Sequence, residues 1–178
     1  MNNDSIFSTH NAVLIGLMAS IMCICGPFAI PIGPVPIALT NLVIYLAALL
    51  LGAKRGTFCC LIYLLLGFAG LPVFAGFTGG IAKLVGPTGG YLIGYLFTAL
   101  IVGFFSDKFG THKSLVFMGL LLGTLTLYFF GSLWLAFQAH LSFFEALSIG
   151  VFPFILGDLL KMTLAIFLAA PIKKRIQF

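Results

Sequence analysis

Asp158 and Lys161 stand three residues apart in Gly157-Asp158-Leu159-Leu160-Lys161, inside an apolar run that begins near Ile149 to Pro153 and reaches Pro171. Residues at that spacing share one face of a helix. In a membrane-spanning helix an ionised side chain costs roughly 2.5–3.5 kcal/mol, so neither residue would persist facing lipid. The pair partly neutralises itself and must point into a helix bundle or a wet cavity. It can be a buried ion pair that locks this helix to its neighbours. It can also be a ligand or ion site in which the carboxylate accepts hydrogen bonds and the ammonium donates them. Charges inside membrane segments are more often functional than structural, which favours the second reading.

A second group lies in Leu71 to Tyr91, between two long apolar segments. Gly-X-Thr-Gly-Gly occurs there twice, as Gly76-Phe77-Thr78-Gly79-Gly80 and Gly86-Pro87-Thr88-Gly89-Gly90. Glycine pairs allow sharp turns and bring backbone N–H groups close to another surface. The repeat predicts two matched turns, shaped around a ligand or around the protein's own helices. Phe74, Phe77, Tyr91 and Tyr95 are available to line a pocket there. Lys83, between the copies, is misplaced for a phosphate loop but is counted among the candidate binding residues. Upstream, residues 26–36 contain four prolines and two glycines, which predicts a stiff apolar loop tucked against protein. Thr40 and Asn41 follow, placed to face a cavity or to cap and bond between helices.

The elements that must position these groups are membrane helices. The chain has 178 residues, 61% hydrophobic and 7% charged, where a soluble domain carries roughly 25% charged residues. Its mean hydropathy is +1.21. Apolar segments are expected at about 12–25, 37–51, 57–70, 89–105, 114–138 and 150–171, a single six-helix membrane domain over residues 1–178. Residues 1–11 are expected to be frayed or interfacial and lack the basic start of a cleavable signal peptide. Gly52 to Gly56 reads as a short charged turn. Ser142-Phe-Phe-Glu145 reads as a capping box opening a short interfacial helix. With both termini inside, the inner turns and tail hold Lys54, Arg55, Lys108, Lys113, Lys173, Lys174 and Arg175, and the outer loops hold only Lys83. That asymmetry predicts cytoplasmic termini and places the proline loop, the glycine loop and the Asp158/Lys161 face together on the outside. Ala12, Gly16 and Ser20, with Ala19 alongside, form a small-residue stripe that lets another helix approach. Gly90/Gly94 and Gly119/Gly123 have similar spacing.

Several classes are disfavoured. The net charge of +5 sits at segment ends, so it marks topology and not a nucleic-acid surface. No zinc-protease, nucleophile-elbow or phosphate-loop pattern occurs, so no enzyme is expected and no cofactor is implied. Cys23, Cys25, Cys59 and Cys60 read as buried, inert thiols, and His10, His112 and His140 as scattered surface residues, so no metal is expected.

At this point the sequence resembles the BioY family, the biotin-specific substrate-binding (S) components of energy-coupling factor (ECF) transporters. The residues that carry the resemblance are Ile30-Pro-Ile-Gly-Pro-Val-Pro36, Leu51-Gly-Ala-Lys-Arg-Gly56, Gly70-Leu-Pro-Val-Phe-Ala75, Gly86-Pro-Thr-Gly-Gly-Tyr91 and Gly157-Asp-Leu-Leu-Lys161. They occur in the family's order and cover nearly the whole chain. The resemblance implies an all-α, six-transmembrane-helix S-component bundle in a bacterial-type cytoplasmic membrane, with an outward-facing biotin pocket roofed by loops. It implies that Asp158, Lys161, Phe74, Phe77, Thr88 and Tyr91 bind substrate. Where the family carries a Thr-Leu-Gln stretch this chain has Thr40-Asn41 in a different arrangement, and Asn41 is the corresponding candidate. It further implies that Ala12, Gly16, Ala19 and Ser20 face a transmembrane coupling (T) subunit, with two cytoplasmic ATPases completing an ATP-driven uptake system.

Biotin offers a ureido ring, an apolar thiophane and a carboxylate. Asp158 can accept from the ureido N–H groups while Lys161 meets the carboxylate. The opposite arrangement, with glycine-turn N–H groups holding the carboxylate, is equally open at this level. An S component for another vitamin and a stand-alone secondary transporter are the alternatives. A cationic vitamin such as thiamine is disfavoured because the lone intramembrane Asp already has its Lys.

Overall fold

The computed structural model describes residues 8–31, 33–110 and 112–175. Helix α1 is Thr9–Cys25, α2 Thr40–Phe68, α3 Ala82–Val85, α4 Gly89–Phe109, α5 Lys113–Ala139, α6 Phe143–Gly150 and α7 Ile155–Arg175. Two short strands, β1 Ala29–Ile30 and β2 Ile37–Ala38, pair antiparallel. A 3₁₀ turn at Phe152–Phe154 joins α6 to α7.

Helix α2 is two helices back to back. Gly52 has φ 80° and ψ −175°, a conformation open essentially to glycine alone. The chain reverses there: a Cβ on Gly56 would fall 2.8 Å from the Cα of Ala48, whereas eight residues of straight helix span about 12 Å. The expected segments 37–51 and 57–70 are therefore two antiparallel arms, residues 40–51 and 53–68. The turn between them is one residue, not five. Asp107 accepts from the Ala53 N–H at 2.8 Å and fastens the reversal to α4. With α1, α4, α5 and α7 the arms make six long helices among the described residues. The stretches 89–109, 113–139 and 143–175 are long and apolar enough to cross a membrane, 40–68 is as apolar but is split by the Gly52 reversal, and α1 is a shorter apolar helix.

The first arm of α2 lies at the centre. Ile44, Tyr45, Ala47 and Ala48 are fully buried. Helices α4 and α5 close on each other through small residues: Gly94 lies against Leu127, Gly119 against Phe105 and Gly123 against Val102. The glycine spacings on those two helices thus serve internal packing. Most polar side chains buried among the described residues are paired, as lipid and protein both require, the Thr57 and Ser132 hydroxyls being exceptions. Tyr45 and Thr124 share a hydrogen bond of 2.6 Å, and Thr98 Oγ1 donates to the Gly123 carbonyl at 2.9 Å. Cys59 and Cys60 are buried free thiols, while Cys23 and Cys25 are only half-buried, short of the burial expected of them.

Other boundaries also differ from expectation. Helix α1 starts at Thr9, capped by the Ser8 hydroxyl, so residues 9–11 are ordered helix; residues 1–7 lie outside the described residues. Ile37 and Ala38 belong to a strand, because proline and the residue before it favour extended backbone and Pro31, Pro34 and Pro36 keep the chain out of the helix until Thr40. Helix α4 runs one turn further, to Phe109, and α7 passes through Pro171 to Arg175. Lys173 anchors that last stretch by donating to the Leu49 carbonyl at 3.2 Å and to Ser106 Oγ at 2.9 Å. The expected capping box is present: Ser142 Oγ accepts from the Glu145 N–H, and the Glu145 carboxylate accepts from the Ser142 N–H.

Candidate functional site

At the end of the bundle away from Gly52, a cavity of about 420 Å³ opens between the helix ends and two loops, within the range of about 300–1,000 Å³ typical of small-molecule sites. The β1–β2 hairpin covers one side through Pro31, Pro34, Val35 and Pro36. The glycine loop covers the other through Phe74, Ala75, Gly76 and Thr78. The two covers are tied together, since the Gly76 N–H donates to the Pro27 carbonyl at 2.9 Å. Tyr63 OH donates to the Val73 carbonyl at 3.2 Å and holds the glycine loop to the second arm of α2. Phe74 is wedged edge-on against Tyr63 and Phe68.

Asp158 is 2% exposed in the first turn of α7. Lys161 Nζ donates to its Oδ1 at 2.9 Å, one helical turn away, as the spacing predicts. Tyr128 OH on α5 donates to Oδ2 at 2.7 Å. Asn41 Nδ2, at the start of α2, straddles both oxygens at 3.3 Å. Three helices thus converge on one carboxylate. A carboxylate has about four lone-pair sites. Two are taken by short, charge-assisted or phenolic bonds, and the long Asn41 fork is the weakest and the readiest to yield to an incoming donor. Tyr91 OH donates to the Gly150 carbonyl at 2.8 Å, and Tyr63, Tyr91, Tyr95, Tyr128 and Phe154 supply the aromatic wall.

Asp158, Lys161, Asn41, Phe74, Thr88, Tyr91 and Lys83 all line this cavity. Phe77 does not. It is 63% exposed and packs on Phe28 outside. Its φ of 57° follows Gly76 at φ 76°, and this pair closes a tight turn bridged by Phe74 and Thr78, which throws the ring outward. The two Gly-X-Thr-Gly-Gly copies are not matched turns either. The first is that turn. In the second, Gly86 is extended, Thr88 precedes α4, and Gly89 and Gly90 begin the helix, where a Cβ on Gly90 would collide with the Phe130 carbonyl. The N–H groups of Gly76, Gly80 and Gly89 are already given to the carbonyls of Pro27, Gly67 and Gly86. Among the small residues of α1, Ala12, Gly16 and Ser20 are exposed and nothing lies within contact of a Cβ placed on Gly16, whereas Ala19, 3% exposed, is packed inside the chain's own core. Sequence reasoning misses Tyr128 and Tyr63. The signal that could have found them is that a tyrosine inside a membrane helix must spend its hydroxyl on a partner.

The fold and this cavity define a multi-pass membrane protein built as a ligand-binding bundle. A family model described as the BioY family matches residues 1–178, and the chain belongs to that family. It is a family of transporter components, not of enzymes. The chain is 39% identical over 166 residues to the biotin transporter BioY2 of Lactococcus lactis subsp. cremoris, covering 92% of this chain and 88% of that protein. It is 38% identical over 159 residues to the biotin transporter BioY of Thermotoga maritima, covering 89% and 93%. A solved S-component for biotin from an ECF-type ABC transporter superposes with a TM-score of 0.85 at 34% identity, covering 94% of this chain and 95% of that one. The chain is thus a multi-pass protein of the cytoplasmic (inner) membrane.

Proposed function

We propose that this protein is the high-affinity biotin-binding S component of an ATP-driven ECF uptake transporter, with its cavity facing outward beneath the 26–38 and 69–88 connections. The observation that carries the reading is the charge of the cavity. Its charged lining residues are Lys83, Asp158 and Lys161, a net +1 in an aromatic chamber. That suits a ligand with one carboxylate and disfavours a cation such as thiamine. Asp158 accepts from the ureido N–H groups, displacing the long Asn41 fork, and Tyr63, Phe74 and Tyr95 pack on the fused rings. The carboxylate is met by the ammonium groups of Lys161 and Lys83, a reading supported by the engagement of the Gly76, Gly80 and Gly89 N–H groups elsewhere. The basic turns at Lys54, Arg55, Lys108 and Lys113 and the basic tail lie at the opposite end, which supports cytoplasmic termini. The exposed Ala12, Gly16 and Ser20 stripe is the face offered to a T subunit, and two ATPases complete the assembly.

Calorimetric titration of the detergent-purified chain with biotin, with thiamine as control, tests the reading. One-to-one biotin binding without thiamine binding is expected. A folded sample that binds a different anionic vitamin in place of biotin would leave the S-component assignment and remove the substrate. Uptake into vesicles containing this chain alone, driven by an ion gradient, would instead point to a self-sufficient transporter.

A further inference from the structure

A second cavity, of about 400 Å³, lies at the opposite end of the bundle, where α7, α5 and α4 part. Helix α7 packs mainly against α2 and only lightly against α5, which leaves the cleft open at the level of the basic turns. Its rim carries Lys113 at the start of α5 and Lys173 and Lys174 near the end of α7. Its floor is apolar, formed by Val116 and by Ile166, Ala169 and Ala170. No carboxylate is among its described lining residues. The nearby Asp107 accepts from the Ala53 N–H and sets one negative charge against the three lysines of the rim. Lys173 is fixed in the wall by Leu49 and Ser106, using two of its three protons. Lys113 and Lys174 are exposed.

We propose that this cleft is a binding site for an anionic phospholipid, with the headgroup phosphate held among Lys113, Lys173 and Lys174 and the glycerol and upper acyl chain lying on Ile166, Ala169 and Ala170. Three ammonium groups above an apolar floor match an amphiphile that is anionic at one end and hydrocarbon beyond it. A basic recess between helices at a membrane face has the character of headgroup sites in general. The site is separate from the Asp158 cavity, and it does not depend on which vitamin that cavity holds.

The test is native mass spectrometry of the detergent-purified full chain, titrated with dioleoylphosphatidylglycerol against dioleoylphosphatidylcholine. The expected result is one retained phosphatidylglycerol and a preference of roughly tenfold or more over phosphatidylcholine. Lys113→Gln/Lys174→Gln should abolish that preference, because each surface lysine contributes about fivefold. Lys54→Gln/Lys108→Gln, with the same change in charge elsewhere at this end, should keep it. Ala170→Phe, which fills the floor without altering charge, should weaken phosphatidylglycerol retention while the helical circular dichroism is unchanged. Absence of any preference in the unmodified chain, or equal loss in both lysine pairs, overturns the proposal. Displacement of the lipid by equimolar inorganic phosphate overturns the lipid as occupant, and an unaffected Ala170→Phe variant overturns the placement in this cleft.

Discussion

The two ends of the bundle use polar side chains in opposite ways. Around Gly52 they terminate helices. Asp107 accepts from Ala53, Arg55 donates to the Leu51 carbonyl, Ser106 donates to the Leu49 carbonyl, and Lys173 closes over both Ser106 and Leu49. Most of these bonds end on backbone, and their product is a tight reversal. At the Asp158 end the main bonds run from side chain to side chain, from Lys161, Tyr128 and Asn41 to one carboxylate on the wall of a cavity. Backbone groups must be satisfied for a chain to remain in lipid. Side-chain groups satisfied only by one another can exchange partners with a ligand. One end therefore holds the fold, and the other is poised to trade hydrogen bonds.

That contrast breaks if variants at one end disturb the property assigned to the other. The largest effect is expected from Gly52→Ala. Its backbone conformation costs about 1–3 kcal/mol in any other residue, and the new Cβ would collide with the Asp107 carboxylate. A loss near 3 kcal/mol should appear as a fall of several degrees in the apparent Tm, with the surviving folded fraction still binding biotin normally. Asp158→Asn should do the reverse. Removing one member of a buried, charge-assisted group typically costs 2–5 kcal/mol in binding, so calorimetry should record biotin binding at least about 30-fold weaker, with the helical circular dichroism of the folded sample retained. Tyr128→Phe removes one of the short bonds to that carboxylate; a weakening of about tenfold is expected, and an unchanged affinity would show that Tyr128 only packs. Ser106→Ala takes one bond from the other network and should lower stability by about 1 kcal/mol while leaving the calorimetric affinity intact. Phe77→Ala should alter affinity and stability by less than about 0.5 kcal/mol, since its ring lies outside the cavity.

Much of the site and the fold is legible in the amino-acid sequence alone. Asp158 and Lys161 stand out because a charge in an apolar helix has few explanations, and their spacing alone gives the ion pair that is observed. Helix number follows from apolar runs punctuated by glycine, proline and charge. Tyr128 is not legible in that way. It is one of 5 tyrosines and 20 phenylalanines, and its role comes from α5 lying opposite α7, a tertiary fact. The Gly-X-Thr-Gly-Gly repeat misleads for a related reason. The shared glycines and threonine take different backbones because the first copy folds into a turn against Leu71, while the second opens α4 and is pressed against α5 at Phe130 and Trp134. Pro171 suggests a helix end because local sequence does not reveal that Lys173 is anchored on two other helices.

The bond from the Gly76 N–H to the Pro27 carbonyl has a kinetic meaning. It joins the root of the first cover to the Phe74–Thr78 turn of the second, near where Gly26 also lies against Val73 and Tyr63. Lifting one cover breaks this bond or pulls on the other, so under the proposed function a vitamin would enter and leave through one concerted opening instead of two independent ones. Such a gate slows both directions alike. It lengthens the residence time of a bound molecule without adding a single contact to it, and a captured vitamin would be held long enough for slower, energy-driven steps to act on the loaded protein.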